Sequence, residues 1–103
     1  MKTPKIVALT GSTKFRELFQ QVAAEETLKG NIVLTVHVFR HEPAYAHLTE
    51  KETDALDALF EHKIKMCDEL IVINKGGYIG NGTAVDIEKA RVLGKIIRYA
   101  EEY

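Results

Sequence analysis

Apolar positions along this chain follow two alternating patterns. Short continuous runs have the length and β-branched content of buried strands: Lys5-Ile6-Val7-Ala8-Leu9-Thr10 ending at Gly11, Asn31 to Phe39, Leu70 to Asn74, and Lys95 to Tyr99. Between them the apolar residues recur at helical spacing. Phe15, Leu18, Phe19, Val22 and Ala23 precede a stop at Gly30. Leu56, Leu59, Phe60, Ile64 and Cys67 share one face of a helix opened by the capping box Thr49-Glu50-Lys51-Glu52. Ala84 to Leu93 makes a third helix, stopped by Gly94. Arg40 to Leu48, with Pro43, reads as a loop, and Ala100-Glu101-Glu102-Tyr103 as a short acidic tail.

The order is therefore β-α-β-α-β-α-β. Continuous apolar strands alternating with amphipathic helices predict a parallel sheet covered on both faces. Right-handed crossovers then favour the strand order 2-1-3-4, a small three-layer α/β domain of the flavodoxin-like or Rossmann-like kind spanning residues 1–103. In such a sheet ligands bind beyond the carboxyl ends of the strands where the order reverses, here between the first and third strands. Two segments leave those strands: Gly11-Ser12-Thr13-Lys14, and the loop of residues 75–83 with its four glycines Gly76, Gly77, Gly80 and Gly82.

Composition narrows the ligand. The chain has 103 residues and a formal net charge of −1, which argues against a nucleic-acid polymer held by bulk charge. No apolar run approaches a membrane span of roughly 20 residues. No signal-peptide pattern precedes the first strand, and Cys67 is the lone cysteine, so a cytoplasmic setting is expected. Cys67 itself reads as a core residue.

Both loops carry binding chemistry. Ser12 and Thr13 can donate to a phosphate or ribose oxygen or cap the following helix, while Lys14 and Arg16 can neutralise a phosphate or face water. Gly77, Gly80 and Gly82 let the backbone approach a ligand, Asn81 and Thr83 lie at the start of the next helix, and Tyr78 can stack on a base or pack within its loop. Asp86 carries two readings at this point. It completes a Thr83-x-x-Asp86 capping box, or it is a carboxylate placed to bind a ribose hydroxyl or attack an anomeric carbon. Tyr45 is a loop aromatic, and Phe39 and His41 can border the crevice. The four histidines lack the spacing of a metal site, and neither a metal nor an organic cofactor is expected.

Several of these segments together resemble the nucleoside 2-deoxyribosyltransferase superfamily, in particular its small bacterial and phage members. They are residues 5–12, Cys67 to Ile73, Gly80-Asn81-Gly82-Thr83-Ala84-Val85-Asp86 with residues 87–90, and Leu93-Gly94-Lys95. The Gly-x-Gly-Thr-x-x-acid element also resembles the cytokinin-activating phosphoribohydrolases. The resemblance implies a nucleoside or nucleotide as the small-molecule partner and cleavage of its N-glycosidic bond, with transfer to another base or to water. It implies Asp86 as the nucleophile, where the family usually carries Glu. The shorter side chain retracts the carboxylate by about 1.5 Å. A second acid, which assists proton transfer to the base in the family, aligns with Phe60; Asp57 lies one turn earlier and Glu61 is adjacent. The resemblance also implies a homo-oligomer. A nucleotide-binding module that does not cut is the other reading of the same pocket.

Overall fold

A computed structural model describes residues 3–102. Strand β1 (Ile6–Gly11) leads through a short 3-10 turn (Thr13–Phe15) into helix α1 (Arg16–Leu28). Strand β2 (Ile32–Leu34) follows, then a 3-10 turn (Pro43–Tyr45), helix α2 (Glu50–Met66), strand β3 (Glu69–Ile73), a turn at Lys75–Gly77, helix α3 (Asn81–Val92) and strand β4 (Ile96–Tyr99). The sheet is parallel and ordered β2-β1-β3-β4, as the alternation of patterns predicts. Its central pair runs in register from Val7↔Glu69 to Gly11↔Ile73.

The core divides by face. Val7, Leu9, Ile71 and Ile73 pack with Phe19 and Val22 of α1, whereas Ala8 and Leu70 pack with Ile64 and Cys67 at the end of α2 and Ala90 of α3. So α1 covers one face and α2 with α3 the other. The capping box forms as read: the Glu52 amide donates to Thr49 Oγ1 and the Thr49 amide to Glu52 Oε1, both at 3.1 Å. Cys67 is buried, and burial pushes its thiol up from the ordinary range, as suits an inert core residue.

Two boundaries differ from expectation. The second strand is three residues long, not nine. It pairs with β1 only as Ile6↔Ile32, Val7↔Val33 and Ala8↔Leu34. Beyond Leu34 the chain splays away; the Thr35 carbonyl accepts from Lys63 Nζ (2.7 Å), and Val36 and Phe39 turn into the α1-side core. Side-chain burial, not ladder pairing, accounts for the β-branched residues there. The third helix begins at Asn81 rather than Ala84, so Asn81, Gly82 and Thr83 form its first turn instead of a loop.

Beneath α1 the sheet carries charge. Arg98 of β4 donates from Nη2 to Glu26 Oε1 (2.8 Å) and from Nε to Glu69 Oε1 (2.7 Å). Lys29 and Asn31 complete the shell of Glu26, and Lys5 reaches Glu69 at 3.0 Å. Both glutamates are buried. This network fills the part of the face that a single helix leaves uncovered.

Candidate functional site

The carboxyl ends of β1 and β3 meet as the topology requires. Gly11 owes its place to that meeting: a Cβ there would lie 2.6 Å from the Ile73 carbonyl oxygen, so only glycine lets the two strand ends close together. Ser12 caps the short turn, its Oγ accepting from the Lys14 amide at 3.4 Å. Thr13 Oγ1 lies 2.5 Å from His41 Nδ1, which ties the first loop to the segment beyond β2. Lys14 Nζ sits 3.8 Å from the centre of the Tyr78 ring, and Phe15 meets that ring edge-on at 5.8 Å. The two loops therefore touch through a cation and two aromatics.

The second loop is shaped by Gly76 and Gly77, whose φ angles of 64° and 80° belong to the left-handed region. Tyr78 then folds back over Gly80, where an added Cβ would lie 3.4 Å from the tyrosine oxygen. The chain end holds this loop from behind. Asn74 Nδ2 donates to the Glu101 carbonyl (2.7 Å), the Glu101 amide donates to Asn74 Oδ1 (2.8 Å), and the Gly76 amide donates to Glu101 Oε1 (3.0 Å).

Asp86 resolves its two readings geometrically. The N-cap of α3 is Gly80, no side chain caps the helix, and the Thr83–Asp86 box does not form. Instead Asp86 Oδ2 accepts from Thr10 Oγ1 at 2.8 Å, across 76 residues of sequence. Thr10 is the last buried residue of β1, so the carboxylate is aimed at the strand end by the sheet itself. Burial pushes the Asp86 carboxyl above the ordinary carboxylate range. The Thr10 hydrogen bond and the Lys89 charge pull it down, and the negative charge of Asp57 pushes it up. Asp57 is held by Arg40 at 2.9 Å. A half-buried acid with a raised pKa at a strand-end crevice is what nucleophilic or proton-transfer chemistry uses.

The remaining residues sort by position. Asn81 and Gly82 are exposed on the first turn of α3, and Thr83 is buried. Arg16 turns to the α1 side, where it pairs with Glu42 and stacks over Phe39 at 5.4 Å. There it lines a cleft of about 340 Å³ with Phe19, Phe39, Glu42 and Tyr45. Thr10 alternates with the α1-facing Val7 and Leu9, so this cleft and Asp86 lie on opposite faces of the sheet. Thr10 and Glu101 lie outside the residues that the sequence singles out: Thr10 ends a strand and Glu101 sits in the acidic tail. Asp57, one turn before the Phe60 position, is the acid whose charge reaches Asp86.

Among the described residues no group of three or more His, Cys, Asp and Glu side chains is arranged to hold a metal ion, and no helix is long and apolar enough to cross a membrane.

Fold and site together define an α/β protein with a four-stranded parallel sheet whose first and third strands end beside the Asp86 carboxylate and the glycine loop. Among solved structures, that of Clostridium botulinum CMP N-glycosidase, BcmB, shares this fold: the match has a TM-score of 0.63 at 22% sequence identity and covers 92% of this chain and 70% of that one. No protein-family profile matches the chain. No curated protein sequence matches it either.

Proposed function

We propose that this protein binds a nucleoside or nucleoside 5′-monophosphate and breaks its N-glycosidic bond, passing the sugar to water or to another base. The observation that carries the reading is the Thr10–Asp86 pair. A carboxylate free of helix-capping duty is aimed by a strand hydroxyl at the crevice where parallel sheets bind ligands. The likeness of fold to a protein described as a CMP N-glycosidase supports the same ligand class.

In this reading Ser12 and Thr13 hold the sugar or phosphate oxygens at the Gly11 turn and Lys14 favours the 5′-phosphate, while Arg16, expected from the sequence to share that role, is instead engaged by Glu42 on the opposite face. Gly77, Tyr78 and Gly80 close over the sugar, with Asn81, Gly82 and Thr83 forming the helix start beside it. An Asp86 carboxylate oxygen attacks the anomeric carbon as the carbon–nitrogen bond breaks, and the bonding pair leaves with the base. The departing base takes up its proton from water at the open carboxyl edge of the sheet. Water or a second base then attacks the same carbon, returning the electron pair to Asp86 and freeing the enzyme.

The second reading, a module that binds nucleotides without cutting, is favoured by one feature: Asp86 is a methylene shorter than the usual Glu, and misplacement on that scale costs roughly a hundredfold in rate. Incubation with a panel of deoxynucleosides and 5′-monophosphates, following free base by chromatography, separates the two. Base release that is lost in Asp86→Ala and retained or raised in Asp86→Glu supports the enzyme. Thermal stabilisation by a nucleotide with no base release supports the module. Neither response from any ligand in the panel sinks both.

A further inference from the structure

The cleft on the α1 side follows from where β2 stops. Pairing with β1 ends at Leu34, and Lys63 of α2 takes the Thr35 carbonyl at 2.7 Å. The chain beyond leaves the sheet, and with α1 it encloses an opening of about 340 Å³. That volume falls within the ~300–1,000 Å³ of small-molecule sites. Its walls are apolar: Phe19 and Ala23 come from α1, Val36 and Phe39 from the departing segment. Phe19 and Phe39 meet edge-on at 5.8 Å, which fixes the two walls against each other.

The polar groups select the ligand. Among the described residues, Thr35 Oγ1 is the one buried side-chain oxygen or nitrogen without a hydrogen-bond partner, and Thr35 lines this cleft. A buried hydroxyl left unmatched costs about 1–3 kcal/mol, so a ligand that meets it gains what the fold forgoes. Gln20, His37 and Tyr45 stand exposed on the rim. An amide, a neutral imidazole and a phenol can each donate and accept. The two formal charges cancel: Arg16 is paired with Glu42 and lies over the Phe39 ring at 5.4 Å. The cleft therefore has apolar walls, no uncompensated charge, and a border of groups that both give and take hydrogen bonds. A flat, uncharged ring with donors and acceptors around its edge matches all three features. A phosphate would have to displace Glu42 from Arg16, and an aliphatic chain would leave Thr35 unmatched.

We infer that this cleft is a second ligand site, for an uncharged nitrogen heterocycle of one or two rings such as a free nucleobase. It is separate from Asp86, which lies on the other face of the sheet. Thr35 Oγ1 meets the ring edge, Gln20 meets it from the rim, and Val36 and Phe39 take a ring face. Binding here does not depend on the reaction proposed at Asp86. The test is a titration of the ¹⁵N-labelled full chain with cytosine, adenine and, separately, inorganic phosphate, at about pH 8 to keep imidazole uncharged. At least one base should shift the backbone amides of Gln20, Ala23, Val36 and Phe39 saturably, with a dissociation constant at or below roughly 1 mM. Thr35→Val and Gln20→Ala should each weaken it roughly three- to tenfold, the scale of one neutral hydrogen bond. Thr35→Ser keeps the hydroxyl and should keep the affinity, and Asp86→Ala should leave it unchanged. A cleft that takes only water gives no saturable shift with either base up to roughly 5 mM, and that overturns the inference. So do shifts confined to the Gly11 and Gly80 loops, an affinity that Thr35→Val leaves intact, or phosphate binding in the cleft as well as the bases do.

Discussion

Glu26 offers a quantitative test of the packing beneath α1. Its side chain is 4% exposed. Burial pushes its carboxyl up, but hydrogen bonds from Arg98, Lys29 and Asn31 and the Arg98 charge outweigh burial and hold it at about 2, against an ordinary 4.5. A carboxyl depressed in the folded state contributes stability that is complete above the unfolded pKa and is lost as the pH falls toward the folded one. The window here runs from about 4.5 down to about 2. At 1.36 kcal/mol for each pH step, the whole contribution is about 3 kcal/mol, of which about 2 kcal/mol is gone by pH 3. That is a substantial fraction of the 5–15 kcal/mol typical of a domain. Urea unfolding followed by circular dichroism at pH 7, 4.5 and 3, on the wild type and Glu26→Gln, isolates the group. The wild type should start more stable, and the gap should narrow by about 2 kcal/mol between pH 7 and pH 3. Parallel curves would refute the argument, because Glu26 would then titrate alike in the folded and unfolded chain.

Other outcomes follow from the site. Arg98→Met leaves Glu26 to Lys29 and Asn31 and Glu69 to Lys5, and should cost about 2 kcal/mol at pH 7, the scale of a hydrogen bond to a charged group; urea midpoints check this. Asp86→Asn should raise the melting temperature at pH 7. An acid whose pKa is raised in the fold costs stability when ionised, so the gain should shrink as the pH falls and Asp86 protonates; scanning calorimetry across pH reads both parts. Thr10→Val removes the hydrogen bond that favours the Asp86 carboxylate, so the acid limb of the base-release profile should move to higher pH, with loss of activity setting in earlier on acidification. Gly11→Ala drives a Cβ into the Ile73 carbonyl and should destabilise by about 1–3 kcal/mol in chemical denaturation.

Much of the fold was legible because the relevant signal is local. Ile71, Val72 and Ile73 form an uninterrupted run with no polar face, which only a strand buried on both sides accommodates, and strand–helix alternation then dictated the sheet order. The Thr49–Glu52 box was readable for the same reason: its partners are three residues apart. What escaped depends on distance along the chain. Residues 35–39 have strand composition, yet their apolar side chains go to Phe19 and α1, and composition carries no record of which neighbour wins. Asp86 stood open between cap and chemistry because its deciding partner, Thr10, lies 76 positions away. Glu26, Glu69 and Arg98 carry no local sign of their pairing, since nothing nearby in sequence distinguishes a solvated glutamate from one enclosed by an arginine 29 or 72 positions away.

The clasp between Asn74 and Glu101 has a consequence for motion. Glu101 lies just past β4, an edge strand held on one side only, and it grips both the end of β3 and the Gly76 amide. Detachment of the last strand and loosening of the glycine loop are thereby one event, sharing one opening free energy. The loop that borders Asp86 inherits the fraying tendency of a sheet margin. A ligand that settles against that loop would, by mass action, also fasten the carboxyl end of the chain to the sheet.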